Sequence, residues 1–191
     1  AKTSAGDYCV FLDEAAVEHP DFALLGMPHL DKEKYTRAIN GVLSKIEKET
    51  GLQVIIAAHP LSRYENDPAA FDGRQLIKGR TIDLVAGCCF VVAHSSTAIS
   101  YAVIFDKPIL FVKTDDMISK GRSGFIDVMA ASVGLKAVNV DSQEEFDDLD
   151  LNYRSWSTER YDEYKYSYVK TRGLADQTVW EIVAREIRNT I

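Results

Sequence analysis

Cysteine is scarce. The chain has three, Cys9, Cys88 and Cys89, too few for a disulfide framework. All three sit in apolar, strand-like stretches, where a free cysteine behaves as a small buried hydrophobe. A reducing, cytoplasmic location is therefore expected. No apolar run approaches the ~20 residues a spanning helix needs, so no transmembrane segment is expected, and no secretory leader pattern is visible. Positive charge is in deficit, with 22 Lys and Arg against 29 Asp and Glu, a net charge of −7. That balance excludes general binding to nucleic acid or an anionic membrane surface, but allows a local phosphate pocket. The four histidines, His19, His29, His59 and His94, are not spaced helically with carboxylates or cysteines, so no metal site is expected. No G-x-G-x-x-G follows a strand and no G-x-x-x-x-G-K-[ST] occurs, which removes the main support for dinucleotide and P-loop NTPase chemistry. No G-x-S-x-G elbow is present for a hydrolase nucleophile. No resident cofactor is expected.

What is present is a core. Hydrophobic residues make up 46% of the 191 and charged residues 27%, ordinary for one globular domain with a helical tail. Tyr8 to Leu12 reads as a buried strand. Ala15 to Leu30 reads as a loop. Lys32 to Thr50 carries Tyr35, Ala38, Ile39, Val42, Leu43 and Ile46 at helical spacing, with Asp31 as cap and Gly51 just past the end. Strands follow at Leu52–Ala58, Gln75–Ile77, Cys88–Ala93, Pro108–Val112 and Leu135–Val140. Between them come a short helix from Thr81, a helix capped by Ser96 or Thr97, and a helix from Phe125 to Val133. Lys113 to Gly124 reads as a polar loop, and Ser142 with Glu145 as a capping box. Continuously apolar strands alternating with helices predict a Rossmann-like, doubly wound parallel sheet of about six strands covered on both faces. Two tail helices are expected, one bearing Tyr161, Tyr164 and Tyr168 and one bearing Val179, Val183, Ile187 and Ile191. The expected division is residues 1–157 as the α/β domain and 158–191 as helices packing on it or on a second domain. The chain begins at Ala1 and its first strand starts almost at once, as expected of a processed chain or a domain cut from a longer protein.

The candidate chemistry lies where strands end. His59-Pro60 follows the second long strand, and a proline there turns His59 away from helical geometry. A histidine at that edge can donate to a phosphate oxygen or protonate a leaving phosphate; its plainer role is to hold a turn. Ser95, Ser96 and Thr97 follow another strand, at the crevice where parallel sheets bind ligands. Capping needs one such residue, and three in succession fit an anion site. His94 beside them fits a buried, satisfied strand end. Lys78, Gly79, Arg80 and Thr81 form a further turn at the same edge, where backbone can approach a base; Arg63 is a candidate phosphate or sugar contact. Asp13 and Glu14 end the first strand, at the mouth of a cleft. Asp115, Asp116, Lys120 and Arg122 fit either a sugar contact or a solvated loop.

His59-Pro60, then Ser95-Ser96-Thr97, then Lys107-Pro108 opening the next strand resembles the C-terminal nucleotide-binding domain of GT-B glycosyltransferases. It is most similar to bacterial sialyltransferases and polysialyltransferases of surface-polysaccharide synthesis, and to CDP-glycerol phosphotransferases. The resemblance spans about Tyr8 to Val140. It implies that His59 contacts the donor phosphate and assists its departure, that Ser95, Ser96 and Thr97 bind that phosphate, and that Lys78-Gly79 lies by the base. It favours CMP or CDP over UDP. It also implies a general base on an N-terminal domain, a missing half or partner chain without which this chain binds the nucleotide-sugar donor and transfers nothing. Two other readings stay open: a non-catalytic α/β interaction module, and half of a sugar-nucleotide 2-epimerase.

Overall fold

The computed structural model describes residues 6–64, 67, 70–173 and 177–190. Its centre is a six-stranded sheet of β1 (Tyr8–Leu12), β2 (Gln53–Ala58), β3 (Leu76–Lys78), β4 (Val91–Ala93), β5 (Ile109–Lys113) and β6 (Ala137–Asn139). Every neighbouring pair is parallel, in the order β3-β2-β1-β4-β5-β6. This is the doubly wound Rossmann order, and its direction reverses between β1 and β4. The apolar strands are buried on both faces, Val10, Phe11, Ile56, Val91, Val92 and Val112 almost completely.

Helices α1 (Pro20–Leu24), α2 (Lys32–Thr50), α3 (Thr81–Gly87), α4 (Ile99–Ile104), α5 (Asp115–Ser119) and α6 (Ser123–Ser132) lie between the strands, and α7 (Gln143–Asp147) follows the last of them. In α2, Tyr35, Ile39, Val42, Leu43 and Ile46 are buried along one stripe. Asp31 caps it by accepting from the Lys34 N–H, and Gly51 ends it at φ 71°. That left-handed geometry suits glycine.

Four local expectations are corrected. Within the expected loop 15–30, Pro20–Leu24 is a helix, because Pro20 sits at its first turn and His19 caps it. Asp115–Ser119 is a helix where a polar loop was expected; Thr114 caps it and Met117 is buried beneath it. Neither Ser96 nor Thr97 caps α4, whose N-cap is Ala98; the Ser96 hydroxyl instead accepts from the Ala98 N–H at 3.3 Å. The capping box at α7 is only half formed: Ser142 accepts from Glu145 N, but the Glu145 carboxylate takes the Asn139 N–H at 2.7 Å.

The tail returns to the sheet through α8 (Tyr161–Tyr164) and a π turn, Lys165–Val169. The Tyr161 hydroxyl donates to the Lys107 carbonyl at 2.9 Å, and Tyr164 lies within 3.2 Å of the Ser100 hydroxyl on α4. Helix α9 (Val179–Thr190) leaves Val179, Trp180, Val183 and Ile187 exposed. Ala175 and Ile191, included in the expected second tail helix, lie outside the described residues.

Candidate functional site at the strand ends

The registers Leu12↔Ala57 and Leu12↔Ala93 bring the ends of β1, β2 and β4 level. The next residues, Asp13-Glu14, Ala58-His59 and His94-Ser95, therefore emerge side by side at the carboxyl edge. A cavity of about 730 Å³ opens there, lined among others by Asp13, Glu14, His19, His59, Pro60, Ser95, Ser96 and Thr97.

Asp13 organises the floor. It is buried, and one oxygen accepts from the Ala15 N–H (3.0 Å) and the Tyr64 hydroxyl (2.8 Å). The other accepts from the His59 N–H at 2.9 Å, tying the end of β1 to the turn after β2. Burial pushes the Tyr64 phenol far above its ordinary value, and the Asp13 charge adds to the shift, so Tyr64 remains a donor.

The His59 turn is closed by its own backbone. Leu61 N–H donates to Nδ1 at 3.2 Å, and the His59 carbonyl accepts from Ser62 N (3.0 Å) and Ser62 Oγ (2.7 Å). The Leu61 bond makes Nδ1 the acceptor and puts the proton on Nε2. His19 repeats the arrangement after β1: Asp21 N–H donates to its Nδ1 at 3.2 Å. The His19 and His59 rings meet at 4.8 Å between centroids, inclined by 70°.

His94 differs. It is fully buried, its Nδ1 donates to the Val112 carbonyl at 2.6 Å, and its Nε2 accepts from Tyr35 at 3.1 Å. It clamps β4 to β5 and α2 and has no capacity left for a ligand.

Ser95 already holds an anion of the protein's own. Its N–H donates to Glu14 at 3.1 Å, and its hydroxyl donates to the same carboxylate at 3.1 and 3.3 Å. Ser96 and Thr97 line the cavity beside it. No lysine or arginine lines the cavity among the described residues, so its histidines are the side chains there that can carry positive charge.

Thr81 also lines the cavity, but the rest of the expected constellation lies elsewhere. Arg63 lines a separate, smaller cavity with Tyr35, Tyr64 and Phe71. The Lys78 ammonium donates to the Ser62 carbonyl behind the His59 turn. Gly79, at φ 73°, follows β3 at the same edge but outside the main cavity. Lys107 stands at the opposite, amino edge, where its ammonium donates to the Cys88 carbonyl at 2.8 Å. Arg122 is buried, donates to the Ala16 carbonyl at 2.8 Å and lies 3.5 Å above the Phe22 ring. Burial lowers its pKa, opposed by Glu14.

Sequence reasoning passed over His19, Tyr164 and Tyr168, all of which line the cavity. The signal for His19 was a second His-Pro pair, His19-Pro20, matching His59-Pro60. The signal for the tyrosines was the helical stripe, read there as packing alone.

No protein-family model and no curated protein matches the chain. Two solved structures of the E. coli heptosyltransferase WaaC are similar in part. The one with ADP has 17% sequence identity and a TM-score of 0.43, covering 76% of this chain and 45% of that one. The one with ADP-2-deoxy-2-fluoro heptose has 20% identity and a TM-score of 0.37, covering 58% of this chain and 33% of that one. This chain thus spans less than half the length of either.

Proposed function

We propose that this chain is the donor-binding half of a GT-B glycosyltransferase of surface-polysaccharide synthesis, holding the phosphate of a nucleotide-activated sugar at the carboxyl edge of its sheet. The observation that carries the reading is the shared cavity of His59 and Ser95-Ser96-Thr97 at the reversal of strand order. In this reading the His59 Nε2–H donates to a phosphate oxygen and stabilises the negative charge that builds as the nucleotide leaves. Ser96 and Thr97 offer hydroxyls to the same group, and Ser95 joins them when Glu14 gives way. Lys78-Gly79 and Arg63, outside the cavity, reach the base or sugar only if the ligand extends beyond it. The general base comes from a second half that closes over the site. An apolar rim with Phe125 62%, Val128 72% and Tyr168 70% exposed supports such a closure.

Cytidine preference rests on the motif resemblance alone, so the test is a calorimetric panel of CMP, CDP, UDP, GDP and ADP against the chain. Binding tighter than millimolar is expected for at least one nucleotide, tightest for CMP or CDP. Millimolar or weaker binding throughout removes the reading. That outcome favours the alternative of a non-catalytic interaction module, to which the Glu14–Ser95 contact and the absence of lysine and arginine from the described lining also lend weight.

A further inference from the structure

The two His-Pro turns are built alike. His59 directly follows β2 and His19 caps α1, further along from β1; the two strands are hydrogen-bonded neighbours. Each imidazole accepts the N–H two residues on at Nδ1, at 3.2 Å in both cases, which leaves Nε2–H for a ligand. The Asp21 carboxylate lies 3.7 Å from His19 Nδ1. The His19 side chain is only 16% exposed.

His19 is also held in place at some length. Helix α1 buries none of its own residues, so packing beneath it does not fix it. A chain of rings does: the Arg122 guanidinium lies over Phe22 at 3.5 Å, Phe22 meets His19 at 5.8 Å, and His19 meets His59 at 4.8 Å. The carbonyl just upstream, Ala16, takes the Arg122 hydrogen bond. The outcome is an imidazole fixed against its twin in a cavity whose described lining has no other cationic side-chain type.

We propose that His19 is a second donor of the anion site, and that His19 and His59 grip one phosphoryl group together through their two Nε2–H groups. The proposal rests on the donor-binding reading and names the group that reading leaves without a partner. Two donors on one phosphoryl group fix its orientation as one donor cannot, and either can follow charge as it moves to the leaving oxygen.

Asparagine is the informative replacement at both positions, because it keeps an acceptor for the N–H two residues on and loses the reach of Nε2. His19→Asn should weaken nucleoside-diphosphate binding by about tenfold, the scale of one charge-assisted hydrogen bond, and leave nucleoside binding unchanged. His59→Asn should do the same. The double variant should lose clearly less than the product of the two, because the donors share a target. Unchanged nucleotide affinity in His19→Asn overturns the proposal, and so does a strictly multiplicative double loss. Pyrophosphate, followed through the ring resonances of both histidines by NMR, separates the proposal from the reading beneath it. Shifts in both rings uphold the shared grip even if no nucleotide binds, and then only the nucleotide-sugar reading falls. A response at His59 alone, or at neither ring, overturns the shared grip.

Discussion

At the scale of single residues, the site is decided by which hydrogen-bonding groups are already spent. His94 and His59 both follow buried strands, and His94 is, as expected, the buried and satisfied one of the two. His94 has each ring nitrogen engaged inside the core, to Val112 and Tyr35, while His59 spends one nitrogen on its own turn and keeps the other. The local sequence does not name the partners that satisfy His94, which lie 18 and 59 residues away. Glu14 is a similar case. Its carboxylate holds the two donors of Ser95 that, in the donor-binding reading, an incoming phosphate takes. Glu14→Ala should therefore free those donors and remove a repelling charge, tightening nucleotide binding by roughly 1 kcal/mol, about fivefold. Calorimetry at matched ionic strength checks this; an affinity that falls instead would make Glu14 a ligand contact rather than a placeholder.

At the scale of elements, α2 and α1 mark the two ends of what was legible. Helix α2 needs only a cap, an apolar stripe and a terminal glycine, all within its own span, and Lys32–Thr50 was readable to the residue. Helices α1 and α5 each have five residues, too short to display a periodicity. Beyond their local caps, distant partners hold them: Arg122 for the segment leading into α1, and the Asp31 N–H, which donates to Asp116 on α5 at 2.7 Å. Arg122→Met keeps most of the volume and removes the donor. It should cost about 1–3 kcal/mol in urea unfolding, since the Ala16 carbonyl loses its partner and Phe22 its cation. Amide exchange in α1 should rise more than in α2. Equal exchange in the two helices would show that the Arg122 contacts do not anchor α1.

At the scale of the whole molecule, burial sets how the fold responds to alkali. Burial raises the Tyr35, Tyr64 and Tyr161 phenols above their ordinary 10.0. It raises the Cys9 thiol well above 9.0, and the Cys88 thiol from 9.0 to about 12. Each group is harder to ionise folded than unfolded, so above its ordinary value the native state holds more protons than the unfolded chain. The stability is complete below pH ~9 and is lost as pH climbs toward ~12. Denaturant midpoints should stay level from pH ~7 to ~8.5 and then fall; a midpoint unchanged at pH ~11 would contradict this. The parallel doubly wound class followed from unbroken apolar strands alternating with helices, because only a sheet covered on both faces buries such strands. The short polar turns after β2 and β4 also stand out in the sequence, and a cavity opens beside them. The sequence by itself thus determined the strands, the longer helices and the class. Only the tertiary structure decided the strand order, the His19–His59 pairing, the Glu14–Ser95 contact and the return of Tyr164 and Tyr168 to the cavity. Each depends on contacts between segments far apart in the chain, and composition, spacing and periodicity report only on segments taken singly.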